Sequence, residues 1–279
     1  MISIATNPGV IHSSIHRFHN GASVVEEDEL AVEAPLEIQL GYMSKGWRVH
    51  KSVSITMRTP GHDSELAAGF LLGEGIIAEP GHIERIETPA DNVVRVDLQA
   101  QVRVDLRSLE RHFYATSSCG VCGKASIAAL RMGCGPQVVI SGPIFFADAI
   151  HGLPGKLRET QEVFDRTGGL HAAALFNPSC ELLCRREDVG RHNAVDKLIG
   201  ARLLADEQPP FSDSLMLVSG RASFELMQKT LAAGIPILAA VGAPSSLAVD
   251  LAREAGATLL GFVRDGRFNI YTHPERIQS

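Results

Sequence analysis

Apolar and polar residues alternate in several short segments after residue 34, which is the period of strands with one buried face. These segments are residues 36–40, 53–57, 93–98 and 102–106. The last two are predicted to pair as a hairpin. One helix interrupts the strands, beginning at Asp63 or Ser64 and continuing through an apolar stretch. The first 25 residues carry little pattern and are expected to be flexible or loosely docked.

The pattern changes after about residue 110, where short apolar strands alternate with helices. The predicted strands are residues 170–176, 182–186, 215–219, 235–241, 257–263 and 268–271, and the predicted helices are residues 191–206, 224–233 and 246–253. Near-continuous apolar strands separated by helices are typical of an α/β sheet that is covered on both faces. We therefore predict a β-rich N-terminal domain over residues 1–110 and a larger α/β domain over residues 111–279.

Composition narrows the class of protein. The chain has 279 residues, is 45% hydrophobic and 21% charged, and carries a formal net charge of −6, which argues against a general nucleic-acid or anionic-membrane surface. No apolar run approaches the roughly 20 residues that a membrane-spanning helix needs. The N-terminus has no basic segment followed by an apolar stretch, and the cysteine count of five is odd. A cytoplasmic location is therefore expected.

A glycine-flanked pair of thiols, Cys119 and Cys122, lies three positions apart in a small, polar segment. Such a pair can stabilise one thiolate or hold a soft metal. Cys180 and Cys184 would complete a four-thiolate zinc set, although at that spacing both would face one side of a strand and be ordinary buried residues. Sulfur chemistry, a zinc clip and a thioredoxin-like dithiol all stay open on these residues, and zinc is the less favoured reading.

Three predicted loops join the end of a strand to the start of a helix: residues 187–193, 219–221 and 242–246. In an α/β sheet such loops collect at one edge and offer free backbone N–H groups to a ligand. Arg191 and Arg221 add charge that suits phosphate. A single loop of this kind is more simply explained by glycine turns and serine caps, whereas three at one edge favour a ligand site.

A fourth segment, residues 262–267, places Arg264 and Arg267 on either side of an Asp-Gly turn between two strands. Both guanidinium groups could bind a phosphate or the edge of a guanine. A type I′ hairpin with solvated charges explains the same residues equally well.

Taken together, these segments resemble the formate dehydrogenase accessory sulfurtransferase family, FdhD, from about residue 35 to the C-terminus. The matching segments are Ser118-Cys-Gly-Val-Cys-Gly-Lys, Arg186-Glu-Asp-Val-Gly-Arg-His-Asn-Ala-Val-Asp-Lys-Leu-Ile-Gly200, Ser219-Gly-Arg-Ala-Ser-Phe-Glu-Leu-Met-Gln-Lys229, Val241-Gly-Ala-Pro-Ser-Ser-Leu-Ala and Gly261-Phe-Val-Arg. The block at 186–200 is far more specific than a Cys-x-x-Cys pair alone.

The resemblance implies a sulfurtransferase that accepts sulfane sulfur from a cysteine desulfurase as a Cys119 persulfide, with Cys122 as its partner. The acceptor would be the molybdenum (or tungsten) bis-guanine-dinucleotide cofactor, which a client formate dehydrogenase needs in its sulfurated form. A homodimer is also implied, together with a cytidine deaminase-like three-layer α/β/α domain. The zinc motifs of deaminases are missing, so only their fold is implied and no permanently bound metal is expected.

The expected cofactor site combines the resemblance with the loops described above. Its residues are Phe262, Val263, Arg264, Asp265, Gly266, Arg267, Ser219, Gly220, Arg221, Arg191 and His192. Two other functions compete with sulfur transfer. One is a non-catalytic chaperone that binds and inserts the molybdenum cofactor and uses its cysteines for structure. The other is a zinc-stabilised binding module, which would contain about one zinc per chain.

Overall fold

The computed structural model describes residues 9–104, 142–264 and 266–279. Cys119, Cys122 and Asp265 therefore lie outside the described residues, as do the last two positions of the strand expected at 102–106. No helix in the described ranges is both long and apolar enough to cross a membrane.

The N-terminal elements form a hairpin and a four-stranded sheet with one helix. They are β1 (Val10–His19), β2 (Ala22–Ala31), β3 (Ala34–Ser44), β4 (Trp47–Arg58), α1 (Asp63–Gly73), β5 (Ile83–Ala90) and β6 (Val93–Leu98). The sheet has the order β4-β3-β6-β5, with β3 antiparallel to β4 and parallel to β6. The alternating strands at 36–40 and 53–57 and the helix from Asp63 are confirmed.

The hairpin expected between residues 93–98 and 102–106 is wrong. The antiparallel partner of β6 is β5, and residues 102–104 are not in a strand. The chain turns after β6 through a hydrogen bond from the Val102 N–H to the Gln99 carbonyl, and Val102 and Val104 pack against the core instead. The apolar pattern did not predict β5, because charged residues separate its apolar positions Ile83 and Ile86.

Of the first 25 residues, those from residue 10 onward are more ordered than expected, because they belong to β1 and β2, which pair over their full length. Their turn is Asn20-Gly21, and both residues have positive φ. Asn-Gly is the strongest short-range hairpin signal, so the sequence did contain the evidence. Most side chains of this hairpin are exposed, which is why no apolar alternation marks it. Arg166, in the helix Glu162–Thr167, donates two hydrogen bonds to Glu29 of β2 and so attaches the hairpin to the C-terminal part of the chain.

The C-terminal elements build the larger sheet and its helices. They are β7 (Phe145–Phe146), α2 (Ala147–His151), α3 (Leu153–Arg158), α4 (Glu162–Thr167), β8 (His171–Phe176), β9 (Leu182–Asp188), α5 (Arg191–Leu204), β10 (Leu215–Val218), α6 (Phe224–Ala232), β11 (Ile237–Ala240), α7 (Ser246–Ala255), β12 (Thr258–Arg264), β13 (Arg267–Thr272) and β14 (Ile277–Gln278). The six-stranded sheet has the order β13-β12-β11-β10-β8-β9, and β10, β11 and β12 are parallel.

Helices cover both faces of this sheet. Alternate strand residues such as Leu175 and Met216 face one apolar cluster with α5, α6 and α7, while Phe176 and Leu215 face a second cluster with α2 and α3. The α/β class predicted from the sequence is therefore confirmed. The expected likeness to a deaminase domain stays a prediction.

Helices α1 and α5 join the two sheets through an unusually close contact. A Cβ atom at Gly69 would lie 1.9 Å from the Asp196 carbonyl oxygen, and one at Gly200 would lie 1.8 Å from the Glu65 carbonyl oxygen. Only glycine permits this approach of one backbone to another. The larger apolar cluster consequently includes residues of both sheets, and the domain boundary near residue 110 stays a prediction.

Candidate functional site

Every predicted cofactor-site residue that the structure describes lies at one edge of the six-stranded sheet. The parallel strands β10, β11 and β12 end at this edge, β9 ends there, and β8 and β13 begin there. The loops and the adjoining ends of helices and strands at this edge carry Arg191, His192, Ser219, Gly220, Arg221, Phe262, Val263, Arg264, Gly266 and Arg267. The predicted convergence of the loops is thus observed, while their role in cofactor binding stays a prediction.

Backbone hydrogen bonds fix the loops after β10 and β11 against each other. The Gly242 N–H donates to the Gly220 carbonyl, and the Phe262 N–H donates to the Gly242 carbonyl. Ser219 anchors the first loop by accepting the Ala172 N–H at 2.9 Å. A Cβ at Gly242 would lie 3.0 Å from the Gly220 carbonyl oxygen, so the two loops pack backbone to backbone. The edge is therefore rigid and exposes small residues.

Phe262 has strained backbone geometry. Its φ is 55°, a left-handed value that is uncommon for a bulky residue, and the β12–β13 pairing is irregular between Gly261 and Arg264. Such strain persists only where the surroundings enforce it, and it clusters at functional sites. The irregularity lies where residues 262–267 were singled out from the sequence.

The described residues of this edge carry an excess of positive charge. Among the described residues, no carboxylate lies within ion-pair distance of Arg191, Arg221, Arg264 or Arg267. The positive charge also affects His171. Burial lowers the pKa of His171, and the nearby charges of Arg191 and His192 lower it further. An arrangement of this kind favours an anionic ligand.

A cleft of about 620 Å³ opens beside this edge, between β4, α1, α5 and α6. Two pairs of a basic and an acidic side chain lie along the α5–α6 side of the cleft, which we call the paired wall. His192 Nε2 lies 2.6 Å from Glu225 Oε2, and Lys229 Nζ donates to Asp196 Oδ1 at 2.7 Å. Phe70 from α1 also lines the cleft. The cleft thus combines a charged wall with apolar side chains, among them Phe70.

The block at 186–200 also connects the two sheets, which the sequence did not predict. Asp188 is fully buried and lies 2.7 Å from Lys197 Nζ, and it also accepts the Gly190 N–H and the side-chain amide of Asn193. Lys197 donates to the Thr59 carbonyl of the N-terminal module. These residues fasten the loop before α5 to the strand end of β4, while Arg191 and His192 line the cleft.

Cys180 and Cys184 are both free thiols within the described ranges. Burial raises the pKa of each. Cys180 is fully buried, as expected, but the expected shared strand face is wrong: Cys180 precedes β9 with a φ of 57°, whereas Cys184 on β9 is half-buried and packs against the other apolar cluster. In the described segments no group of three or more cysteine, histidine or carboxylate side chains is arranged to hold a metal.

Glu225, Lys229, Asp196 and His171 were not predicted as site residues, although all four line the cleft. A signal for three of them does exist in the sequence. His192 and Asp196 lie four residues apart on α5, and Glu225 and Lys229 lie four apart on α6, with opposite order of charge. Side chains at that spacing share one helix face, so two complementary helix faces were readable.

Comparison with known proteins identifies relatives along nearly the whole chain. The model of the FdhD/NarQ family matches residues 31–278. The "Sulfur carrier protein FdhD" of Streptomyces coelicolor is 50% identical over 94% of this chain and 93% of its own, and that of Sulfurisphaera tokodaii is 47% identical over 94% and 97%. A crystal structure of a putative formate dehydrogenase accessory protein from Desulfotalea psychrophila superposes with a TM-score of 0.77 at 25% identity, covering 97% of this chain and all of that one.

Proposed function

The chain belongs to the FdhD/NarQ family, and from that premise we propose that it is a sulfur carrier in the maturation of a formate dehydrogenase. Relatives at up to 50% identity carry the name sulfur carrier protein. The observation in the molecule that best supports the proposal is the rigid sheet edge with four arginines that have no carboxylate partner among the described residues.

In the proposed reaction, Cys119 receives sulfur from a cysteine desulfurase. The Cys119 thiolate attacks the terminal sulfur of the donor's persulfide, the donor's S–S bond breaks, and the donor's cysteine leaves as a thiolate. The exchange needs no external oxidant. Cys122 is proposed to assist by stabilising the thiolate form of its neighbour. Both cysteines lie outside the described residues, so their roles rest on the sequence and on the family.

The proposed acceptor is the molybdenum or tungsten bis-guanine-dinucleotide cofactor, bound as a substrate. Its diphosphates would be held by Arg191, Arg221, Arg264 and Arg267 and by the N-terminus of α6. The strained turn at Phe262 would shape this contact. The S–S bond of the Cys119 persulfide would then break, Cys119 would leave as a thiolate, and the terminal sulfur would become a sulfide on the metal, which would supply the two electrons by rising two units in oxidation state. No resident metal is part of the proposal.

The proposal includes a homodimer in the cytoplasm, with the desulfurase and the client enzyme as partners. The competing function is a chaperone that binds the molybdenum cofactor and uses its cysteines only for structure. The same arginine-rich edge would serve that function. The two functions differ in what they require of Cys119.

Complementation distinguishes them. A strain that lacks its own carrier would be supplied with the wild type, Cys119→Ala, Cys122→Ala or the control Cys184→Ala, each checked for equal protein level. We expect Cys119→Ala to abolish formate dehydrogenase activity, Cys122→Ala to reduce it and Cys184→Ala to leave it intact. Full activity in both of the first two variants would establish the chaperone instead.

A further inference from the structure

The paired wall of the cleft is organised as two rungs between α5 and α6. His192 faces Glu225 near the solvent, where the two side chains are 26% and 16% exposed. Asp196 faces Lys229 one helical turn deeper, where exposure falls to 4% and 9%. Charged side chains buried at the bottom of a cleft are unusual unless they are paired or bind a ligand.

In the deeper rung, Lys229 and Asp196 bind each other. Burial alone would lower the pKa of Lys229, but the adjacent carboxylates Asp196 and Glu74 outweigh burial and raise it. Lys229 therefore stays charged and donates to Asp196. Because Glu225 lies one turn before Lys229 on the same helix, this rung fixes the position from which Glu225 reaches into the cleft.

The upper rung is incomplete. Oε2 of Glu225 lies 2.6 Å from His192 Nε2, but the contact lacks hydrogen-bond geometry, so His192 Nε2 and Glu225 Oε1 are both buried without a hydrogen-bond partner among the described residues. The buried Nε of Arg191, another residue that lines the cleft, also has no partner among the described residues. Buried polar atoms are nearly always hydrogen-bonded, so one unfilled acceptor and two unfilled ring or guanidinium nitrogens on residues that line one cleft call for a ligand with both donors and acceptors.

The proposed function supplies a ligand with this pattern. Guanine and pterins share a 2-amino-4-oxopyrimidine ring, in which amino and ring N–H donors lie beside a carbonyl acceptor. Phe70 lines the same cleft, with the Lys229 ammonium 5.7 Å from the centre of its ring, and is the side chain that such a ring could contact. Glu225 lies in the first turn of α6, just after the loop of Gly220 and Arg221, so a ring in the cleft would leave an attached diphosphate near the arginine edge.

We infer that Glu225 is the specificity-determining residue of this site, reading the exocyclic amino group of a 2-amino-4-oxopyrimidine ring through Oε1. The inference rests on the proposed function for the identity of the ligand. It goes beyond that function in assigning recognition of the base to the cleft and to one carboxylate, whereas the arginines recognise only phosphate.

The test compares GDP, IDP and XDP as ligands of the full chain by titration calorimetry. IDP lacks the amino group, and XDP carries a carbonyl in its place. We expect the wild type to bind GDP at least about tenfold more tightly than either analogue, since each analogue leaves the buried oxygen unfilled. Glu33→Gln, which changes an exposed carboxylate at the mouth of the same cleft, should keep this order.

Glu225→Gln should reverse the preference. His192 Nε2 already lies 2.6 Å from one side-chain oxygen of Glu225, so we expect the amide oxygen to take that side and the new amide N–H to face the ring and donate to the XDP carbonyl. Tighter binding of XDP by the variant is a gain that a misfolded protein cannot show. Failure of the variant to bind any of the three nucleotides while the wild type discriminates among them would overturn the specific role of Glu225.

The remaining outcomes separate the inference from the function on which it rests. Equal binding of GDP and IDP by the wild type would overturn the inference for guanine but leave an arginine-based phosphate site. In that case pterin and lumazine, which differ in the same amino group, are compared. Tighter binding of pterin than of lumazine would assign the cleft to the pterin. Equal binding of the two would overturn the inference. No binding of GDP at all would contradict the proposed cofactor site itself.

Discussion

A buried ion pair between Asp188 and Lys197 holds the loop that leads into α5. Asp188 and Lys197 are 0% and 1% exposed, and between them they bind backbone or side-chain groups of both modules. Removing one partner of such a pair leaves the other charge buried and unpaired, which is far more damaging than losing a surface pair.

We expect Asp188→Asn to lower the free energy of unfolding by about 3–5 kcal/mol, because the Lys197 ammonium loses its counter-charge. Asp250→Asn is the matched control, since its pair with Arg253 is more than half exposed and should contribute less than about 1 kcal/mol. Urea denaturation of both variants measures the difference. Similar values for the two would show that the buried pair does not hold the loop.

The arginines at the sheet edge should act on phosphate. We expect GDP to raise the melting temperature of the wild type, since it binds only the folded state, and Arg264→Ala to reduce that shift. Arg253→Ala removes an arginine that is paired on α7 and should leave the shift unchanged. A shift that is equal in the wild type and Arg264→Ala would remove Arg264 from the site.

The block at 186–200 shows how far sequence reasoning reached at this scale. It correctly predicted that the block opens a helix at the edge that carries the other loops. It did not reveal that Asp188, Asn193 and Lys197 point into the junction between modules, because their partners are Thr59 and Met57, more than 100 residues away. Contacts of that range leave no local pattern.

At the scale of elements, the crossing of α1 and α5 joins the two modules. A methyl group at Gly200 would meet the backbone of α1, which cannot move aside as a flexible side chain can. We expect Gly200→Ala to lower the free energy of unfolding by more than the roughly 1–3 kcal/mol typical of overpacking.

Gly155 on α3 provides the control for that substitution. A Cβ there meets nothing within 4 Å, so Gly155→Ala should be neutral or stabilise the protein by up to about 1 kcal/mol. Thermal and urea unfolding of both variants give the comparison. A Gly200→Ala protein as stable as the wild type would show that the helices can separate without loss.

Glu65 of α1 and Arg186 of β9 form a second connection, with two hydrogen bonds of 2.5 and 2.7 Å. Burial alone would raise the pKa of Glu65, but hydrogen bonds from Arg186 and His62 outweigh burial and lower it to about 2, against 4.5 for the free group. The unfolded chain therefore takes up the proton first as the pH falls, so the stabilisation is present above pH 4.5 and is lost towards pH 2.

We expect the free energy of unfolding to decline below about pH 5, with Glu65 contributing at most about 3 kcal/mol of that decline. Glu65→Gln should flatten the curve, and Glu33→Gln, which alters an exposed carboxylate, should not. Urea denaturation between pH 7 and pH 3.5 measures both. Parallel curves for the wild type and Glu65→Gln would contradict the assigned pKa.

Elements with a one-sided apolar period were predictable, whereas pairing was less so. β3, β4 and the helices after residue 190 follow from period alone. The exposed β1–β2 hairpin shows no such period, and only its Asn20-Gly21 turn indicates it. β6 was given the wrong partner because strand pairing depends on the whole sheet, and β5 has too few apolar positions to compete on pattern.

At the scale of the whole molecule, the arginines, the strained backbone of Phe262 and the cleft all lie at one end of the larger sheet. The α1–α5 crossing and the buried pairs hold the N-terminal sheet against that end. These features form the surface at which we propose that the cofactor binds, and the proposed sulfur transfer adds Cys119 as the reactive group.

Intact-mass spectrometry tests that central claim most directly. The full chain is incubated with a cysteine desulfurase and cysteine, and its mass is measured without reductant and again after reduction. We expect one added sulfur atom, mapped by peptide analysis to Cys119, removed by the reductant and absent from Cys119→Ala. An unchanged mass in the wild type, or the same sulfur in Cys119→Ala, would contradict the account.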